Sequence, residues 1–356
     1  MPHNSEVESP RAHRWAGAIL LSAIWTASVV AELAKPAHTF LQDRLGFTTG
    51  DLSNLERGRP VARTLKAEDR REIAVGGAVR VDVPVDFFLH RFSDIVAFKQ
   101  SKIVRQIGKF SSPPRRDDLS RLTFDSTELE ALRKCRVDDC GLYLSEGQIR
   151  RINAGVDWGK PDARERASNL LREMLVEYVQ AYRSGGNAAL LEYRAGPGPV
   201  SLANELQHLV DHSGPLLDDS PEFRDYLLGL SNQSLRSDEE FVYWSKEQFG
   251  LKPVISITHV VVYKTQRATV PEWLIASKQI YASRYFGGSL ALTLAIPGAL
   301  TGPSFYMVYS NRTHPVSFPP VLGGLVRRVA QAQTRSGLED TLRTTKERLE
   351  SDYRRQ

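Results

Sequence analysis

Val79-Arg80-Val81-Asp82-Val83-Pro84-Val85-Asp86-Phe87-Phe88-Leu89-His90-Arg91-Phe92-Ser93-Asp94 changes its hydrophobic period in the middle. Before Pro84 the valines alternate with polar residues. They continue the parity of Ile73 and Val75, a pattern that predicts a half-buried strand. Beyond Pro84 the apolar residues Phe87, Phe88, Phe92, Ile95 and Val96 recur at helical spacing, and the proline suits the first position of a helix. A strand handing over to a helix is therefore expected between Glu72 and Gln100.

The same period-two signal returns far downstream. Phe241 to Ser245, Pro253 to Lys264, Trp273 to Tyr285, Ser289 to Ile296 and Ser304 to Asn311 read as strands. They are joined by short connections carrying Gly250, Pro271, Gly287-Gly288 and Gly298 to Pro303. Consecutive strands with short turns make an antiparallel meander. Within Pro253 to Lys264, one face is expected to carry Ile255, Ile257, His259, Val261 and Tyr263. A last helix from about Pro320 to Arg355 lines up Leu322, Leu325, Val326, Val329, Leu338, Leu342 and Leu349. Arg327, Arg328, Arg335, Arg343, Lys346 and Arg348 fall on its other side.

The intervening chain reads as helices. Thr127 with Glu130 and Ser145 with Gln148 fit the spacing of a capping box. The strongest helical stripe runs from Ala163 to Arg183, through Ala167, Leu170, Leu171, Met174, Leu175, Tyr178, Val179 and Tyr182, and stops at Gly185-Gly186. Shorter helices are expected near Leu202 to His212 and Pro221 to Leu230. Five segments follow: a leader over 1–31, a helical extension over 32–71, the first strand and helices of the core over 72–126, a helical insertion over 127–240, and the sheet with its final helix over 241–356.

Strand, helix, meander and long C-terminal helix is the layout of the START-like, or helix-grip, superfamily, and the stretch quoted above resembles its opening. Alternating valines lead into Pro84, Asp86, Phe88, Phe92 and Asp94 at the positions where many such proteins carry Pro-x-acidic, an aromatic and a terminal aspartate. The resemblance covers about Glu72 to Gln100 and Phe241 to Glu350; residues 101 to 240 depart from it. It implies an α+β fold in which an antiparallel meander wraps the last helix around an apolar cavity, with a large helical insertion. The alternative is an unrelated α+β arrangement of the same meander against helices.

Composition bounds the function. The chain has 356 residues, 47 Lys plus Arg against 42 Asp plus Glu, and 41% hydrophobic residues. That is ordinary globular usage and excludes disorder or a disulfide-dense mini-fold. Arg11, His13 and Arg14 precede an uncharged apolar run from Trp15 to Ala31, ending in Val29-Val30-Ala31. This is the pattern of a secretory leader cleaved before Glu32, an uncleaved N-terminal anchor being the alternative. Cys135 and Cys140, the two cysteines, enclose a loop that a disulfide closes in an oxidising compartment. A periplasmic or secreted location follows. Basic residues are not clustered or interleaved with aromatics, so nucleic acid is not expected as a partner. The stripe on the last helix offers a contact with anionic lipid headgroups, although Glu339, Asp340, Glu347, Glu350 and Asp352 dilute it.

Chemistry is sparse. No GxSxG, GxxxxGK[ST] or GxGxxG motif occurs, so serine-hydrolase, P-loop and dinucleotide readings lack their carriers. The expected activity is binding of a hydrophobic small molecule or lipid without a cofactor. Phe88, Phe92 and the final helix would wall the cavity, and Trp244, His259, Tyr263, Tyr281 and Tyr285 would line it and orient the ligand's polar end. The simpler reading of His259 is a core histidine satisfied by a tyrosine hydroxyl or a backbone group, since buried polar groups must be paired in any case. Trp244, Lys246, Lys278 and Arg312 face the same choice. An enzymatic alternative rests on His208-Leu209-Val210-Asp211-His212, which resembles the His-x-x-Glu-His helix of inverted zinc peptidases with Asp for Glu. No obvious third ligand follows downstream; Glu222 and Glu239 are merely available. The bland reading leaves both histidines on an exposed face, with Leu206, Leu209 and Val210 inward. A third possibility is an envelope interaction protein whose helical insertion docks a partner.

Overall fold

The computed structural model describes residues 37–67, 69, 71–194, 198–230, 235, 237–248, 252–265, 272–298, 303–316 and 323–356, with backbone alone over 323–330. The apolar leader of the sequence lies outside these residues. In chain order the elements begin with α1 (37–45), α2 (Thr49–Glu56), β1 (Val61–Thr64), β2 (Ile73–Val81), α3 (Val85–Ser93), α4 (Ile95–Phe98) and β3 (Val104–Lys109). A helical segment follows: α5 (Ser126–Lys134), α6 (Glu146–Gly155), α7 (Ala163–Gly185), the hairpin β4 (Glu192–Arg194) and β5 (Pro199–Ser201), α8 (Leu202–Asp211), α9 (Gly214–Leu217) and α10 (Pro221–Leu228). The chain closes with β6 (Glu239–Glu247), β7 (Val254–Thr265), β8 (Glu272–Ala282), β9 (Phe286–Pro297), β10 (Phe305–Pro315) and α11 (Gly323–Arg354).

The main sheet has eight strands in the order β1-β2-β10-β9-β8-β7-β6-β3, and every pairing in it is antiparallel. The fold is thus α+β, a meander packed against a long C-terminal helix and compatible with a helix-grip arrangement. Three local expectations change. Val61–Thr64, within the stretch read as helical, pairs with β2 as an edge strand. Pro84 is the N-cap of α3 and not its first residue. Helix α5 is capped by Asp125 with Glu128, so it starts ahead of the Thr127–Glu130 pair; aspartate offers a carboxylate oxygen to the Thr127 and Glu128 amides. The Ser145–Gln148 capping box of α6 is present.

Both faces of the sheet are covered. On one, α3, α4 and α11 pack Phe87, Phe88, Ile95, Leu338, Leu342 and Leu349 onto Val79, Val81, Phe241, Val260, Val262, Ile275 and Phe305. On the other, the helical segment joins α1 and α2 over Ile255, Ile257, Val261, Leu292, Leu294 and Val308 in the larger of the two clusters. A fully buried side chain of this size contributes about 1.5–3 kcal/mol, so among the described residues the second face carries most of the hydrophobic stabilisation. Gly77 lets α11 approach: a Cβ there would lie 2.6 Å from the Val61 carbonyl and 3.0 Å from Leu342 Cδ1.

Candidate functional site

The α11-facing side of the sheet divides into an apolar end and a polar end. At the apolar end Phe88 stacks on Phe305, 5.2 Å between ring centroids, and Phe92 meets Phe98 edge-on at 5.2 Å. Toward the other end the same strand parity turns small and polar. The cross-strand row Ser277, Ala291 and Asn311 runs through β8, β9 and β10, with Thr293 beside Tyr309 and Gln279 beside Thr258. Ser277, Gln279, Ser289, Ala291, Thr293, Tyr309 and Asn311 are half-buried, whereas Lys278, Ile280, Leu290, Leu292, Leu294, Val308 and Ser310 between them are buried. Central-strand positions that keep accessible surface are not fully packed by a covering side chain, so among the described residues this row is a partly open floor.

Charged and phenolic groups lie within electrostatic reach of Tyr309, one of these half-buried positions. Lys99, just after α4, reaches the Tyr243 hydroxyl and the Glu247 carboxylate, each at 3.2 Å. Burial disfavours the Lys99 ammonium, but Tyr243 and Glu247 outweigh it and hold its pKa above the ordinary lysine value. Tyr309 is pushed up to about 12, chiefly by burial, with Tyr243 and Glu247 adding to the effect and Lys99 opposing it. Strands β9, β8 and β7 separate β10 from β6. Groups on β10 and β6 sense one another only if the sheet curls toward α11. The floor is partly satisfied internally: Asn311 Nδ2 donates to Ser289 Oγ at 3.2 Å and Thr313 Oγ1 to Asn311 Oδ1 at 3.0 Å. Gln279 donates to Ser256, but its carbonyl oxygen is buried without a partner.

The residues expected to line one cavity fall on opposite sides of the sheet. Phe88 and Phe92 lie on the α11 face. Trp244, Tyr263 and Tyr281 share the opposite face with Ile255, Ile257 and Val261, under the helical segment, and His259 is bonded into that same layer. The expected co-facial set of β7 is therefore present, but it faces away from the last helix. Trp244 is buried, donates to the Asp118 carbonyl at 2.8 Å, and backs a cleft of about 690 Å3 at the β3 edge that Gln100, Arg105, Gln106 and Arg121 also line. Tyr263 stacks on Phe223 and donates to Glu222. Tyr281 is buried among Tyr178 and Tyr193. Tyr285 sits in the β8–β9 turn at φ 68°, exposed and clear of both layers.

His259 is a satisfied core histidine. The Tyr182 hydroxyl donates to its Nδ1 at 2.9 Å, and its Nε2 meets Glu240 Oε1 at 3.0 Å. That bond, with the Arg183 guanidinium beside it, pulls Glu240 down to about 2 against its own burial. Burial lowers His259 itself. A neutral imidazole donating from Nε2 to an ionised carboxylate fits both shifts. Lys278 joins this layer, donating to Asn187 Oδ1 at 2.7 Å; burial drops its pKa to about 7, with Glu240 opposing. Lys246 is buried against Glu128 and the Thr123 carbonyl at the start of α5.

The remaining candidates also acquire neighbours. On the C-terminal helix, Arg343 pairs with Asp340, Lys346 with Glu350, and Arg348 donates to the Phe98 carbonyl. Of the two acidic residues merely available downstream, Glu222 is held by Tyr263, and Glu239 by Ser93 and Lys109. Leu206, Leu209 and Val210 are buried, as the amphipathic pattern of α8 requires. His208 and His212 are half-buried and not exposed; their rings lie 4.0 Å apart, and His314 of β10 is 4.6 Å from His208. Burial, then His212 and His314, lower the His208 pKa, against Glu72 and Asp69. Asp211 is exposed and pairs with Arg224 at 2.6 Å, so the general base of the peptidase analogy is committed to a different partner. Cys135 and Cys140 form a disulfide. Among the described residues no helix is long and apolar enough to cross a membrane.

No family model and no curated protein sequence matches the chain.

Proposed function

We propose that the protein is an exported, non-enzymatic binding protein of the helix-grip type that holds an amphipathic small molecule between its sheet and its C-terminal helix. The observation that carries this reading is the half-exposed polar floor of Ser277, Ala291, Thr293 and Asn311, set beside an aromatic wall on the same sheet face. A site with a large apolar wall and few polar groups is the usual division of labour for ligand recognition. The ligand's apolar body would lie along Phe92, Phe98 and Phe241. Its polar end would meet Lys99, Tyr309 and the free acceptor of Gln279. This replaces His259 and the β7–β8 tyrosines as the orienting groups, because their hydrogen bonds are spent beneath the helical segment. Export is supported by the basic-then-apolar N-terminus and by the Cys135–Cys140 disulfide.

The test is native mass spectrometry with solvent extraction on the untagged chain purified from an exporting host, alongside Ala291→Trp. The indole would fill the space above the floor. A small-molecule adduct on the wild type that Ala291→Trp lacks is the expected result. An adduct unchanged by Ala291→Trp, or none on the wild type after gentle isolation, refutes the site.

A further inference from the structure

Where α8 meets the start of β2 and the end of β10, imidazoles and carboxylates converge. Glu72, His208 and His212 present donor atoms within 4.8 Å of one another, and so do Asp69, His208 and His314. Glu72 immediately precedes β2, and His314 lies one step beyond the Thr313–Ile73 pair, so the sheet register itself brings the strand residues together. The hydrogen bonds then separate spent atoms from free ones. The His314 Nδ1 side is held by Glu205, His212 Nδ1 by the His208 carbonyl at 2.7 Å, and Glu72 Oε1 by Arg312. What remains buried and unpartnered is Glu72 Oε2, His208 Nε2 and His314 Nε2. Glu72 and His314 are 0% and 2% exposed, so these atoms carry the full cost of an unmet buried polar group. Asp69, by contrast, has both oxygens engaged by Arg71.

We infer that His208, His212, His314 and Glu72 bind one divalent transition-metal ion of the zinc class. Three imidazoles with one carboxylate suit a borderline ion that takes nitrogen and oxygen ligands. The inner atoms are already arranged as metal sites require: Glu205 on His314 Nδ1 and a backbone carbonyl on His212 Nδ1 fix the rings and leave the outer nitrogens for the ion. His208 is common to both triads; with His314 drawn toward Glu72 and His212, four protein donors would close a tetrahedral set, and Asp211 is bound to Arg224. The ion's role is therefore structural. It clips α8 of the helical segment to β2 and β10, two strands of the sheet distant in sequence from it.

The test uses the full untagged chain, stripped with chelator and titrated with zinc alone. Expected are stoichiometric zinc by elemental analysis, a rise in thermal midpoint on adding zinc, and a visible cobalt(II) spectrum of low coordination number on substitution. His208→Gln or His314→Gln should remove the zinc-dependent rise. Glu205→Gln, which bonds the His314 ligand and is not itself one, should weaken affinity by about 10- to 100-fold. Glu222→Gln, outside the cluster, should leave it unchanged. If the histidine variants do not fold, the wild-type midpoint shift and cobalt spectrum decide alone. Substoichiometric zinc with no midpoint shift overturns the site, as does equal affinity in His208→Gln and His314→Gln.

Discussion

Lys278 offers a direct measurement of what the polar layer under α7 costs. Its ammonium is 3% exposed, its one side-chain hydrogen bond goes to a neutral amide, and its ring contact with Tyr182 is at 5.2 Å. Burial brings its pKa from the ordinary 10.5 to about 7. The unfolded chain keeps the proton up to 10.5, whereas the folded chain keeps it only below about 7. Between these values the unfolded state holds more protons, so stability climbs as pH rises across that window and is flat with respect to this group below it. The gap corresponds to roughly 4–5 kcal/mol. Lys278→Met keeps the length and removes the charge. It should recover about 4 kcal/mol at pH 7, less about 1–2 kcal/mol for the Asn187 bond and the Tyr182 contact. The net expectation is a variant more stable by about 2 kcal/mol at pH 7, with the advantage gone near pH 9.5. Urea unfolding followed by tryptophan fluorescence at pH 6.5, 8 and 9.5 reads both quantities. A Lys278→Met chain that is less stable at pH 7, together with a wild-type stability flat from pH 7 to 9.5, would show that the lysine stays ionised and paired. The reasoning would then fail.

Gly108 faces the indole of Trp244 so closely that a Cβ would sit 2.7 Å from Nε1. Gly108→Ala should cost about 1–3 kcal/mol by overpacking and lower the calorimetric midpoint by several degrees; an unchanged midpoint would mean the indole can move aside. The Cys135–Cys140 link closes a loop with a sequence separation of 5, worth roughly 2 kcal/mol through the unfolded chain. Melting with and without reductant, and Cys135→Ser with Cys140→Ser, should both show that loss. Identical curves would assign the bridge no part in stability.

The strands were legible because period-two patterning survives wherever side chains alternate between layers, and β7 is the clearest instance. What alternation cannot carry is which layer each face meets. Val260 and Val262 pack on one side of β7, Ile255, Ile257 and Val261 on the other, and a strand buried on both faces has no polar parity to mark the outside. His259 lies on the face its parity gives and has the tyrosine-hydroxyl partner of a core histidine, but that face meets the helical segment and not the last helix. The floor residues were missed because Ser277, Thr293 and Asn311 look in sequence like the solvent side of a half-buried strand. The i, i+4 histidines of α8 were visible, but their companions Glu72 and His314 come from opposite ends of the fold. Only the register of β2 with β10 joins them. Val61–Thr64 is an edge strand of four residues, too short for periodicity to register.

The helical segment that departs from the helix-grip resemblance also explains how the gripped face can be polar. A lone meander closed by one helix must find its core between the two, so every position over its centre is needed for apolar packing. Here α7, α8 and α10 bury the reverse face with Leu171, Met174, Leu175, Leu206, Leu209, Phe223 and Leu227, and the larger apolar cluster lies on that side. The α11 face is then relieved of most of the hydrophobic load. Its polar end can hold Ser277, Thr293, Asn311 and a lysine paired with a glutamate, groups that a sole core would have to exclude or satisfy at high cost. The polar anchors beneath the helical segment follow from the same division. Lys246 on Glu128 and His259 between Tyr182 and Glu240 contribute less to stability than apolar replacements of equal volume. Their bonds tie α5 and α7 to particular strand positions of the sheet, a specificity role and not a gain in stability.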